Sequence, residues 1–283
     1  MTRLIGIVVG LGFSFVVLLA FVFGAYTAAT EGLGAETAET VYHEHPKELH
    51  LASDGPFGTF DRQQLQRGYQ VYKEVCSACH SMKHVAIRDL AELGYSEAQV
   101  KAEAATWTVP GIDPNTGETT TRPGTPIDYF PSPYPNDIAA SAANGGKVPP
   151  DLSLMTKARH GGAAYVHSIL TGYEEQPAEL LKRFPEAKSP VGTYYNPYFA
   201  ALNIGMPPPL TSDGQVTYAD GTEATIDQMA QDVSAFLVWT AEPTLEKRHQ
   251  TGWAVLGFLL FATILAYLAK KQVWAAVKPK KKA

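Results

Sequence analysis

Two apolar runs stand at the two ends of the chain, with a mixed pattern between them. The first extends from Leu4 to about Tyr26 after Met1-Thr2-Arg3 and carries no charge. The second, QTGWAVLGFLLFATILAYLA from Gln250 to Ala269, is also uncharged and is followed at once by Lys270 and Lys271. About 20 apolar residues at ~1.5 Å each match a hydrocarbon core of ~30 Å, so both runs are candidate membrane helices. Trp253, Tyr267 and Trp274 stand near the boundaries of the second run, where aromatic rings favour the water–lipid interface. The first run is longer than the apolar core of a secretory signal. Thr27-Ala28-Ala29 is only a weak cleavage site, so the length favours a retained anchor over a cleaved signal, with both readings open.

Between these runs the pattern turns helical in three places. Asp61 to Val75 places Leu65, Tyr69, Tyr72 and Val75 close to an i, i+4, i+7 stripe. Ile226 to Trp239 carries Ile226, Met229, Val233, Phe236, Leu237 and Trp239 on its apolar positions, with Thr225 as N-cap and Pro243 beyond its end. Gly68 inside the first helix costs about 1 kcal/mol relative to Ala, a cost that a close crossing with the second helix would justify. The stretch from about Leu93 to Asn144 is rich in Pro, Gly, Thr and Asn and reads as long loops with one short helix, Ser96 to about Ala105.

Composition narrows the class. Of 283 residues 45% are hydrophobic and 11% aromatic, which excludes a disordered or collagen-like chain. The net charge of -5 hides a separation: Glu31 to His249 holds all 28 acids against 16 bases, a balance of -12, whereas Arg3 and six lysines from Lys270 onward flank it. An acidic body excludes non-specific nucleic-acid binding, which needs a basic face. Basic ends favour the cytoplasmic side, so the acidic body is expected outside. The expected organisation is an N-terminal signal or anchor (1–29), a linker (30–54), a periplasmic domain (55–248), a membrane helix (249–271) and a basic cytoplasmic tail (272–283). The N-terminal run lacks the Arg- and Ser-rich look of a mitochondrial presequence, which points to the inner membrane of a bacterium.

The chemistry rests on Cys76-Ser77-Ala78-Cys79-His80, which contains both cysteines of the chain. Cys-x-x-Cys-His is the pattern of c-type haem attachment: two thiols so spaced can each join one vinyl group of a single porphyrin, and the following imidazole reaches the iron. A disulfide would not need the histidine, a thioredoxin-like pair expects a βαβ setting, and a zinc site needs further ligands. A second axial ligand is expected for electron transfer. Met82 is too close to His80, Met229 lies on a core stripe, and Met155 could pack over the haem edge. Met206, in Gly205-Met206-Pro207-Pro208-Pro209, sits in a loop that proline stiffens and is the best-placed candidate. His84, His160 and His167 read as surface or core residues, and the His43, His45, His50 cluster reads as solvated linker.

The chain resembles the cytochrome c1 family, the haem subunits of the cytochrome bc1 complex (ubiquinol–cytochrome c oxidoreductase), in its bacterial form. The resemblance is carried by GPFGTFD (55–61), RGYQVY (67–72), EVCSACH (74–80), DYFP (128–131), PPDLS (149–153), ARHGG (158–162), YYNPYF (194–199), GMPPP (205–209) and AEP (241–243), and it covers roughly Phe57 to the C-terminus. It implies a mainly α, class I cytochrome c-like haem domain with long loops, and one covalently bound haem c held by Cys76 and Cys79 with His80 and Met206 as iron ligands. It further implies that Arg159 pairs with a haem propionate and that Asn144, Tyr165 and Phe199 line the pocket. No residue of the chain is expected to be catalytic. The chain would be a subunit of the quinol–cytochrome c reductase that only relays electrons. Its implied partners are cytochrome b, the Rieske iron–sulfur protein and a soluble or membrane-tethered cytochrome c, within a dimeric, lipid-embedded complex. Another membrane-tethered cytochrome, such as an oxidase subunit, leaves PPDLS and ARHGG without a role. An open-site haem enzyme or sensor requires that Met206 not bind iron. The extra disulfide of some bacterial relatives has no cysteines here.

Overall fold

The structure, a computed structural model, describes residues 2–31, 36–275 and 277. The expected basic tail from Lys278 onward lies outside the described residues. The described chain is mainly helical and groups into two units.

The smaller unit comprises residues up to 43 together with 176–188. It contains α1 (Thr2–Glu31), α2 (Ala38–Tyr42) and α8 (Ala178–Arg183). The side chains of α1 are exposed along nearly its whole length, and the helix is long and apolar enough to cross a membrane. Helix α2 begins with a capping box in which Thr37 and Thr40 serve each other's backbone. The Tyr42 and Phe184 rings meet edge-to-face at 6.3 Å, and Arg183 pairs with Glu36. The expected linker 30–54 thus contains one ordered helical turn.

The larger unit, residues 44–175 and from 189 onward, is built on α3 (Arg62–Val71) and α9 (Ile226–Ala241). Helix α3 starts where the Asp61 carboxylate accepts hydrogen bonds from the Gln63 and Gln64 amides, and α9 starts where the Thr225 hydroxyl accepts from Gln228. The expected stripes face each other. Leu65 and Tyr69 are buried on α3 and Tyr72 just past its end, and Met229, Val233, Phe236, Leu237 and Trp239 are buried on α9. Phe236 sits between Tyr69 and Tyr72, with ring centroids 5.7 and 5.9 Å away. Gly68 lies at the crossing: a Cβ there would stand 2.1 Å from the Asp232 carbonyl oxygen and 2.7 Å from the Phe236 Cβ. An ion pair pins the same contact. Arg67 Nε is 2.9 Å from a carboxylate oxygen of Asp232, whose side chain is fully buried, and Arg67 also reaches Asp220 at 2.8 Å. Burying Asp232 is tolerable because Gln228 donates to it as well, at 2.8 Å.

Around this pair lie α4 (Glu97–Ala105), α5 (Asp137–Ala143), α6 (Met155–Ala158) and α7 (Gly162–Thr171). Helix α4 is the expected short helix, with Ser96 as its N-cap, and presents Glu103 to Tyr69, Trp107 and Lys73. The stretch 93–144 holds more structure than its composition implied. An antiparallel hairpin, β1 (Thr108–Ile112) with β2 (Thr119–Pro123), turns at Asp113–Gly117, and α5 starts from an Asn136 cap. The hairpin lacks an alternating pattern because β2 is exposed throughout and β1 buries only Val109. Two short strands, β3 (Tyr194–Tyr195) and β4 (Asn203–Ile204), pair ahead of the Gly205–Pro209 loop. The last described helix is α10 (Leu245–Ala275), the second one fit to cross a membrane.

Gly68→Ala is expected to lower stability by ~1–3 kcal/mol, because the added carbon meets backbone that must move. Gly252→Ala, where nothing lies within 4 Å, should leave it unchanged. Thermal unfolding of the haem-loaded chain in detergent checks both.

Candidate functional site

Helix α3 does not run straight into the Cys-x-x-Cys-His motif. At Tyr72–Cys76 it widens into a π-turn, so the Ser77 amide bonds the Tyr72 carbonyl at 2.8 Å instead of the Lys73 carbonyl one residue nearer. The Ser77 hydroxyl supplies the missing donor to Lys73 at 2.7 Å. The Cys76 carbonyl then accepts from the Cys79 and His80 amides at 3.1 and 2.9 Å, which closes the motif into a compact turn. Both cysteines are free thiols, Cys79 exposed and Cys76 half-buried. Burial, with Cys79 adding to it, pushes the Cys76 thiol up to about 12. It therefore stays protonated at neutral pH. Among the described residues no three His, Cys, Asp or Glu side chains gather to hold a metal ion, so these two thiols and one imidazole fall short of a structural zinc site.

The His80 ring is oriented by the Pro149–Ser153 segment. Nδ1 lies 2.8 Å from the Pro150 carbonyl oxygen. A carbonyl only accepts, so Nδ1 carries the proton and Nε2 keeps a free lone pair. Burial holds the imidazole below its ordinary value, against Pro150 and Asp151, which push it up. The rest of the segment closes on the chain after His80. The Leu152 amide bonds the Ser81 carbonyl at 2.9 Å. Asp151 accepts from the Ser81 hydroxyl at 2.8 Å and the Lys83 amide at 2.9 Å, and the Ser153 hydroxyl accepts from the His84 amide at 3.1 Å. A cleft of about 260 Å³ opens beside Cys79, walled by Pro149, Pro150, Asn136 and Ala140.

A second group of candidate residues forms around Met206. The backbone carbonyl of Met206 accepts a hydrogen bond from the Tyr173 hydroxyl at 3.1 Å. Gly205 packs on the stem of Lys147, whose Cγ would lie 2.7 Å from a Cβ, so a larger residue there would push the lysine side chain aside. Met82, Met155 and Met229 are buried in the core, whereas Met206 is only half-buried. Burial pushes the Tyr165 phenol up, opposed by the charge and hydrogen bond of Arg159. Arg159 itself is exposed, and the close packing in this segment falls at Gly161, where a Cβ would stand 3.0 Å from Pro46. Asn144 ends α5 and bonds the Ala140 carbonyl at 2.7 Å. Its own carbonyl accepts from the Lys147 amide, which joins it to the Gly205 contact. Phe199 is half-buried in the turn between β3 and β4, with its backbone tied to Asn196 and Leu202.

The other histidines stand elsewhere. His43, His45, His50, His84 and His160 are exposed, and His167 is buried with Nε2 2.9 Å from Asp227. Three contributors escaped the sequence reading: Pro150 and Asp151, which hold the chain around His80, and Tyr173, which holds Met206. PPDLS stood out as a motif, but an acceptor 70 residues from its partner leaves no periodic signal.

A family model described as the Cytochrome C1 family matches residues 51–277. The chain belongs to the cytochrome c1 family. It is 50% identical to cytochrome c1 of Rhodospirillum rubrum over 238 residues, which is 79% of this chain and 85% of that protein. It is 49% identical to cytochrome b/c1 of Bradyrhizobium diazoefficiens over 236 residues, 78% of this chain, and spans about a third (34%) of that longer protein. The mitochondrial cytochrome c1 haem protein of Saccharomyces cerevisiae is 42% identical over 257 residues, 91% of this chain and 77% of the yeast protein. As expected for this family, the chain is a mainly helical, membrane-associated electron-transport protein.

Asp151 gives the site a pH dependence. Burial raises its carboxyl, but hydrogen bonds from Ser153, Lys83 and Ser81 win and hold it below the usual carboxylate value. A lowered folded-state value means that the stabilisation is complete above ~3.9, where the unfolded group ionises, and is lost as pH falls through the folded value. Asp151→Asn should lower Tm at pH 7 and converge on the parent protein in acid. A gap that stays constant with pH would contradict this.

Proposed function

We propose that this chain is the haem subunit of a cytochrome bc1 complex, passing single electrons from a Rieske iron–sulfur protein to a cytochrome c acceptor. The observation that carries the reading is the His80 tautomer beside two free thiols: Pro150 engages Nδ1 and leaves Nε2 as the ring's donor. These residues fit one covalently bound haem c. Cys76 and Cys79 hold it through thioether bonds, His80 binds the iron through Nε2, and the Met206 sulfur is the second ligand. A sulfur available to a ligand is one the core does not already surround, and this favours Met206 over Met82, Met155 and Met229. When bound, the haem supplies a one-electron iron couple.

The protein's part is to hold and tune. Pro150 fixes the ring of His80, as a hydrogen-bonded partner does for any metal-binding imidazole. Tyr173 anchors the backbone that carries Met206. Arg159 pairs with a propionate, and Asn144, Tyr165 and Phe199 line the pocket. Quinol oxidation belongs to partner subunits, cytochrome b and the Rieske protein, in a dimeric complex. The 55–248 domain faces the periplasm, residues 249–271 cross the inner membrane, and the 272–283 tail is cytoplasmic, in keeping with the flanking lysines. The balance of -12 between Glu31 and His249 steers a basic cytochrome c toward the domain.

Met206→Leu is expected to lower the haem potential, within the ~0.8 V range that axial ligation commands, and to change the absorption spectrum. An unchanged potential and spectrum would remove Met206 from the site. The rate of electron transfer to a basic cytochrome c should fall as salt rises, and a rate independent of ionic strength would refute the steering.

A further inference from the structure

The segment Gly55-Pro56-Phe57-Gly58-Thr59-Phe60 has no part in the site, yet it contacts the first turns of α10 up to Trp253, near the start of the apolar stretch. It lies along the first turns of that helix in antiparallel order. The Phe60 amide donates to the Glu246 carboxylate at 2.7 Å, the Gly58 carbonyl lies 3.3 Å from His249 Nδ1, and the Pro56 carbonyl accepts from the Trp253 indole at 3.3 Å. Positions 246, 249 and 253 are i, i+3 and i+7, one face of the helix. Phe57 stacks on Trp253 with ring centroids 4.9 Å apart and planes within 8°.

The loop is shaped for this contact. Gly55 has a φ of +75°, and a Cβ on Gly58 would come within 2.1 Å of the Ser53 carbonyl oxygen, so the return past Ser53 requires glycine there. The Thr59 amide bonds the Ala52 carbonyl at 2.9 Å, and the Leu51 amide bonds the Asp54 carboxylate at 2.8 Å. A loop built this tightly nevertheless leaves the Phe57 ring 76% exposed. In water that arrangement is unfavourable: an aromatic ring buries 150–250 Å² when it finds a core, and Phe57 covers only part of its surface against Trp253.

The position on α10 resolves the conflict. Glu246, Lys247 and Arg248 are the last charges before an uncharged run that reaches Ala269. Trp253 therefore stands where the helix leaves water, at the depth that indole rings favour. Phe57, stacked on it, shares that depth. We propose that the Pro56–Phe60 strap seats Phe57 beside Trp253 in the lipid interface, giving the haem-bearing domain a second foothold on the bilayer and a fixed orientation on its anchor. The occupant of the exposed ring face is phospholipid at the headgroup–acyl boundary. The inference rests on α10 crossing the bilayer.

The test uses the assembled protein in its native membrane, with the photoreactive amino acid benzoyl-phenylalanine introduced at one position at a time. Position 57 is the probe. Position 260, mid-way along the apolar run and exposed, reports the span, and position 112, an exposed apolar residue on β1, reports background. Irradiation followed by mass spectrometry is expected to give phospholipid adducts at 57 and 260, several-fold above 112. Lipid adducts at 260 without any at 57, or adducts from 57 to polypeptide alone, would overturn the strap while leaving the span intact. Lipid adducts at neither would overturn the span and the strap together. In a second measurement, Trp253→Ala and Phe57→Ser should each raise proteolysis at Gly55–Thr59 while leaving the haem spectrum unchanged; cleavage no faster than in the parent would also overturn the proposal.

Discussion

The close crossing of α3 and α9 at Gly68 is the constraint on which the large unit depends. Backbone meets backbone there, because a Cβ would overlap the Asp232 carbonyl. That approach lets Phe236 lodge between Tyr69 and Tyr72, and Tyr72 is the residue at which the helix widens into its π-turn. The geometry of the crossing is thereby transmitted over four residues to Cys76. Arg67 and Asp232 add an orientation that apolar packing alone lacks: a buried carboxylate held by a guanidinium and an amide tolerates little sliding of one helix along the other.

A second constraint is supplied by the Pro149–Ser153 segment, which pairs with residues 80–84 almost residue for residue. The Ser153 amide, three residues on, is taken by the Asp151 carboxylate at 3.0 Å, and the carbonyl of Pro150 faces His80. The same segment continues back through Lys147 to Gly205, the neighbour of Met206. One stretch of chain thus touches the surroundings of both candidate iron ligands. The site is held by three separate regions of sequence, α3 with its turn, residues 144–153 and the loop after β4, and none of them forms a regular element at the point of contact.

Legibility followed the range of the interaction. The Cys76-to-His80 pattern was readable because its chemistry depends on spacing within five residues. The α3 and α9 stripes were readable because burial on one face imposes a period, and the Thr225 cap because a cap is local. Asp232 escaped, since an acidic residue on a helix reads as a solvent-facing position until its partner is known. The hairpin β1–β2 escaped because it buries one side chain and so leaves no alternation.

By itself the sequence determined the two apolar helices, the acidic segment between them, the family and the thiol–imidazole motif, all of which depend on composition or on neighbours along the chain. Only the tertiary structure decided which nitrogen of His80 is free, which methionine the core leaves accessible, and that Phe57 lies on Trp253. Each of those depends on a contact between residues from 33 to 196 positions apart. Such contacts follow from how helices cross and loops return, and they leave no period in the chain that makes them.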